Sequence, residues 1–187
     1  MSGYDASATA RVVVGVSGSL GSITALRWAA TEAGRRDTEF WPVLAWVPPG
    51  GELAARRSPA SALLVDQWQR LAGQRLVSVL DELFGDAGPG LPMRALVIRG
   101  TPGPALVETA SREDDVLVVG AGRRSHRPRA FSGWVSRYCL THATCPVIAV
   151  PPSPLEPQLA AVHRRNTWRL RLDSRRVLKE ETVQPGT

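Results

Sequence analysis

The chain has 187 residues, 43% of them hydrophobic, and a formal net charge of +6. That length predicts one domain with room for a tail, and the apolar fraction suffices for a real core. No apolar run approaches the roughly 20 residues of a transmembrane helix, so no membrane span is expected.

The opening MSGYDASATA has neither a basic nor an apolar stretch, so no signal peptide is expected and cytoplasm is the expected location. Residues 1–10 read as a disordered lead-in. Arg11–Val16 is a β-branched run consistent with a buried parallel strand. Ser17–Ser22 (SGSLGS) is a turn with N-cap candidates, and Ile23–Arg35 reads as a helix. Ile23, Leu26 and Ala30 recur at helical spacing with Trp28 beside them, and Arg35 and Arg36 suit the C-terminal end. Glu39–Val47 is a second strand, in which Pro42 requires a strand start or an unpaired position.

Pro48–Pro59 reads as a loop. Ala60–Phe84 reads as a long helix with Leu64, Trp68, Leu71, Arg75, Leu76, Val79, Leu80 and Leu83 along most of an apolar stripe. Gly85–Pro92 breaks it. Met93–Arg99 is a third strand, Gly100–Gly103 a turn, Pro104–Ser111 a short helix and Val116–Val119 a fourth strand. Asp114 and Asp115, just before that strand, suit a turn or cap. After a long loop, Gly133–Thr141 is a helix and Pro146–Val150 a fifth strand. The alternation predicts an α/β domain over 11–152, a parallel sheet with helices on both faces. From about Pro151 the composition turns to a proline linker and an arginine-rich appendage, 153–187.

The stretch after the fourth strand holds most of the functional information. A glycine loop between a strand and a helix is a common phosphate site in α/β proteins. Gly120, Gly122 and Gly133 frame such a loop, but Arg123, Arg124, His126, Arg127 and Arg129 crowd its middle. Those residues read either as an anion clamp or as a solvated loop. Lys179 is the only lysine, and arginines are scattered elsewhere, a pattern of GC-rich coding; nucleic-acid binding is not expected. Cys139 and Cys145 are too few for a disulfide framework and read as reduced, partly buried thiols. His142 reads as a structural hydrogen-bonding residue, because no nucleophile or paired carboxylate is identifiable to work with it. Neither catalytic residues nor a metal site are expected.

VVVGVSGSLGSITALRWAA resembles the first strand and helix of the universal stress protein family, and His142-Ala143-Thr144-Cys145-Pro146-Val147 resembles its ending. The likeness covers about Arg11–Pro152. It implies five parallel strands in the order 3-2-1-4-5. It also implies a homodimer through the last strand (Val147, Ile148, Ala149, Val150), an unidentified regulatory protein partner and, in some members, bound ATP or another adenine nucleotide. Carried over by position, Gly15, Val16, Ser17 and Ala45 would face adenine and ribose. Val119, Gly120, Arg123, Gly133, Trp134, Val135 and Ser136 would face the phosphates. Three positions depart from that pattern: Ser17 where the family has an acidic residue, Arg123 at a glycine, and Trp134 at a small hydroxyl residue. An indole there would fill the phosphate pocket or stack on adenine. The resemblance therefore implies a non-enzymatic regulatory protein with a degraded adenine-nucleotide site. One alternative is a sensor of ATP or another phosphorylated ligand binding through the Gly120–Ser136 loop. Another is an ATP pyrophosphatase-type enzyme, because SGSLGS resembles that group's SGGxDS loop, with Gly21 in place of the aspartate.

Overall fold

A computed structural model describes residues 10–49, 51, 60–122 and 133–152. The expected lead-in apart from Ala10, the arginine-rich loop 123–132 and the appendage 153–187 lie outside the described residues. Five strands are present: β1 (Arg11–Gly15), β2 (Glu39–Trp46), β3 (Leu96–Arg99), β4 (Val116–Gly120) and β5 (Val147–Val150). They alternate with α1 (Leu20–Arg36), α2 (Ala60–Phe84), α3 (Pro102–Thr109) and α4 (Trp134–His142). All strand pairs are parallel. The order β3-β2-β1-β4-β5 matches the expectation. Its direction reverses between β1 and β4, which makes the C-terminal ends of those strands the switch point of the sheet.

Apolar runs in β1 and β4 serve both faces because successive side chains point oppositely. Val12, Val14, Val116 and Val118 pack under α1 and α2 with Leu26, Ala29, Leu76 and Leu80. Val13, Leu117 and Val119 pack under α3 and α4 with Leu106, Ala110 and Cys139. Pro42 satisfies its constraint by falling in a gap. Phe40 donates its N–H to Pro92 O and accepts from Arg94 N, both at 2.9 Å. Regular pairing with β3 resumes only at Val43. Two residues beyond Phe40, the missing N–H of Pro42 faces this interruption.

Several boundaries differ from the expectation. The helix expected from Ile23 starts at Leu20, because Ser19 is its N-cap and accepts from the Ser22 N–H. α3 starts at Pro102 rather than Pro104 and ends at Thr109 rather than Ser111; proline fits a first turn, where its missing donor has no intrahelical acceptor to lose. The third strand contracts to Leu96–Arg99, with Met93 reduced to a single bridge to Phe40. On α2 the buried stripe is narrower than the sequence suggests. Leu76, Val79, Leu80 and Ala72 are buried, whereas Leu64, Leu71 and Arg75 are exposed.

The N-terminal edge of the sheet carries a buried ion pair. Asp115 is fully buried, and its carboxylate accepts two hydrogen bonds from Arg11, one of them from Nε at 2.8 Å. It also accepts the Arg112 N–H at 3.1 Å, so the expected turn role is real but secondary. The hydrogen bond to Asp115 is the main reason that the Arg11 pKa is raised. The guanidinium lies 4.5 Å from the Trp41 ring centre, with Arg94 4.9 Å from the same ring. Among the described residues, no helix is long and apolar enough to cross a membrane.

Candidate functional site at the ends of β1 and β4

Small residues gather at the C-terminal edge because elements close in there. A Cβ on Gly15 would stand 2.9 Å from Leu106 Cδ1, so this glycine lets α3 approach β1. A Cβ on Gly120 would stand 3.0 Å from the Gly21 carbonyl oxygen, so this one lets β4 meet the first turn of α1. The Val16 N–H bonds Val43 O at 2.8 Å, which extends the β1–β2 pairing beyond Gly15. Ser17 is thereby roughly level with Ala45 on the neighbouring strand.

The β1–α1 turn is lined with hydroxyls. Ser17 Oγ lies 3.0 Å from Ser19 Oγ, and Ser22 Oγ donates to Ser19 O at 2.8 Å. Gly18 adopts a left-handed conformation with φ 69°. The Arg75 side chain, from α2, crosses this turn. Its Nη2 donates to Ser17 O at 2.8 Å, and its guanidinium lies 2.9 Å from where a Gly18 Cβ would be. The sequence had placed Arg75 in an apolar stripe; a charged residue within such a stripe was the available signal of another role.

The two ends of the long loop meet. Gly133, with φ 92°, is the N-cap of α4, and a Cβ on it would lie 3.9 Å from Ala121 O. Its carbonyl accepts from Ser136 Oγ and from the Arg137 N–H, each at 3.0 Å. The first-turn amides of α4 have no intrahelical acceptor, as at any helix start, and glycine supplies no side-chain cap. Val119 and Ser136 are buried beside them.

Trp134 does not pack as core. It is 42% exposed, and its ring lies against Tyr138 at a centroid distance of 5.5 Å. Tyr138 stacks in turn on His142 at 4.0 Å, three aromatic residues spaced by four along one helix face. Tyr138 also covers Gly103, where a Cβ would come within 2.8 Å of the tyrosine ring. The structure thus brings Gly15, Val16, Ser17, Ala45, Val119, Gly120, Gly133, Val135 and Ser136 to one sheet edge, with the Trp134 ring directed along α4. Arg123 lies outside the described residues.

Charge divides between the two edges. The described residues between each of β1, β2, β3 and β4 and the following helix contain no Asp or Glu. Asp37, Glu39, Glu113, Asp114 and Asp115 all sit at the opposite, N-terminal edge. Burial pushes the Cys139 thiol up to about 11 and raises Cys145 as well, so neither is a thiolate nucleophile at neutral pH. His142 Nδ1 is engaged 3.0 Å from Tyr138 O, at the far end of α4. Among the described residues, no cluster of His, Cys, Asp and Glu is suited to a metal ion.

Residues 9–151 match the model of the universal stress protein family. Two universal stress proteins of Mycobacterium tuberculosis are similar. One is 29% identical over 154 residues, covering 74% of this chain and 47% of the relative. The other is 30% identical over 152 residues, covering 79% and 46%. The chain spans about half the length of these curated relatives. The universal stress protein UspA of Lactobacillus plantarum shares the fold, with TM-score 0.56, 19% identity, and coverage of 76% of this chain and 97% of that one.

Proposed function

The chain belongs to the universal stress protein family, and on that premise we propose that it is a non-enzymatic regulatory protein that binds a phosphorylated adenine ligand at the ends of β1 and β4. The observation that carries this reading is the meeting of Ala121 and Gly133. It sets the amides of the α4 first turn, which have no intrahelical acceptor, beside the end of β4, with only glycine as cap. Such amides attract anions, and the macrodipole adds to the attraction. The absence of Asp and Glu from the described residues of these connections, between each of β1, β2, β3 and β4 and the following helix, supports the same sign of ligand charge. In this reading Val119, Gly120, Gly133, Trp134, Val135 and Ser136 surround phosphate, together with Arg123. Gly15, Val16, Ser17 and Ala45 receive the nucleoside. Ligands at such a switch point are the rule for open α/β sheets.

A weakened site is the second reading, favoured by Ser17, whose hydroxyl is a poorer ribose acceptor than a carboxylate. Titration calorimetry with ATP, ADP, AMP and a cyclic nucleotide separates the two. Micromolar binding of at least one is expected; no heat with any of them would leave the weakened site standing. Release of pyrophosphate from ATP would overturn the non-enzymatic assignment.

The reading includes a homodimer through β5. Val147, Ile148 and Ala149 on this strand remain half-buried, and among the described residues β5 pairs on one side only, with β4. An unpaired strand edge is a template for a second chain. Sedimentation at working concentration is expected to show a dimer, and a monomer would remove this part of the proposal.

A further inference from the structure

The arginine that crosses the β1–α1 turn gives the nucleoside end of the site a charge of its own. Arg75 is exposed, and its side chain reaches Ser17 and Gly18 through one hydrogen bond and a close face contact. A guanidinium has five N–H donors and no acceptor, and the bond to Ser17 O uses one. No ion pair joins Arg75 to an acidic side chain among the described residues. The position of Arg75 depends on Gly18, because any side chain there would occupy the space of the guanidinium.

Neighbouring groups add donors. The Ser17 and Ser19 hydroxyls lie beside the arginine. Trp46, one residue beyond Ala45 on β2, has a buried indole N–H with no partner among the described residues. A buried donor without an acceptor is uncommon. Trp46 packs on the sheet face that α2 covers, and α2 bears Arg75.

A ribose diol suits a carboxylate, which accepts from both hydroxyls. A phosphate monoester on the ribose suits arginine, which meets it with paired, charge-assisted donors. We propose that Arg75 is a specificity-determining residue that selects nucleotides carrying a phosphate on the ribose 2′ or 3′ oxygen, in addition to the 5′-phosphate held at α4. The inference rests on the reading of the site given above, in which the ribose lies at Ser17. It names the ligand class: adenosine bisphosphates in preference to AMP.

The test is calorimetry of the full chain with AMP, adenosine 3′,5′-bisphosphate and adenosine 2′,5′-bisphosphate. At least one bisphosphate is expected to bind about tenfold or more tighter than AMP. Arg75→Ala is expected to weaken bisphosphate binding about tenfold more than AMP binding and so to abolish the preference, and Arg75→Lys to retain part of it. Gly18→Ala, which displaces the guanidinium without removing its charge, is expected to reduce the preference as well. A purely structural tie between α2 and the turn would change affinity for all three ligands together. Equal binding of AMP and both bisphosphates by the native protein overturns this inference and leaves the phosphate site in place. An unchanged preference in Arg75→Ala overturns the role of Arg75. Failure of all three ligands to bind overturns the site reading itself, and this inference with it.

Discussion

Asp115→Ala is expected to destabilise the domain by roughly 3–5 kcal/mol, a large share of the ~5–15 kcal/mol that holds a typical domain folded. The reason is the charge left behind. The Arg11 side chain is 8% exposed and would lose its paired acceptor while remaining inside the protein. Its Nη2 would keep Thr109 O at 3.1 Å, which neutralises nothing. The turn into β4 would also lose the acceptor of the Arg112 N–H. Urea unfolding followed by circular dichroism measures the loss, and a change below about 1 kcal/mol would show that the pair is dispensable. Replacing both partners, Arg11→Met with Asp115→Leu, is expected to recover most of the stability, because an apolar pair needs no desolvation of charge. The ion pair lies at the edge opposite the site, so ligand affinity of the folded variant is expected to stay within about twofold.

Gly120→Val is expected to damage both stability and binding. The added Cβ would meet the Gly21 carbonyl, a backbone atom that cannot rotate aside, at 3.0 Å. β4 and the first turn of α1 would have to separate, at a cost of about 1–3 kcal/mol. That separation would also disturb the distance between the β1–α1 turn and the α4 amides, which in the proposed reading frame the ligand. A loss of at least about tenfold in nucleotide affinity is expected, and calorimetry on protein shown to be folded checks it. Gly15→Ala is the informative contrast. Its Cβ would meet the flexible end of Leu106, which can repack, so a milder change is expected there. Equal and small effects of both substitutions would mean that Gly120 is not the constrained contact described here.

Much of the fold was legible because its signals are local. Val12–Val14 and Val116–Val119 are apolar runs too short for helices, and their alternation with helical segments leaves few topologies. Ala60–Phe84 was located to the residue, yet its buried side was not. Leu64 and Leu71 fit a helical period but face solvent, because which part of a stripe is covered depends on where the sheet ends. Arg75 belonged to the same pattern and proved to be the residue that reaches the β1–α1 turn. Asp115 looked like a turn residue from its neighbours alone, since its partner Arg11 is 104 positions away in the chain.

The candidate site divides in the same way. Gly15, Gly120 and Gly133 were named as site positions by the resemblance, which also named the edge they occupy. Their reasons emerged only from packing: Leu106 against Gly15, Gly21 against Gly120, and a left-handed cap at Gly133. Trp134 was expected to fill the pocket or stack on a base. The exposed ring does not fill the pocket; it continues the Tyr138–His142 stack, because side chains four residues apart share one helix face.

By itself, then, the sequence determined the family, the parallel α/β architecture and, through resemblance, the strand order and the edge proposed for a ligand. Those properties follow from periodicity and motif, which are written in neighbouring residues. Only the tertiary structure decided the approach of Arg75 to Ser17, the direction of Trp134 and the burial of the Arg11–Asp115 pair. Each of these depends on contacts between distant segments, and neither propensity nor spacing carries the geometry that brings such segments together.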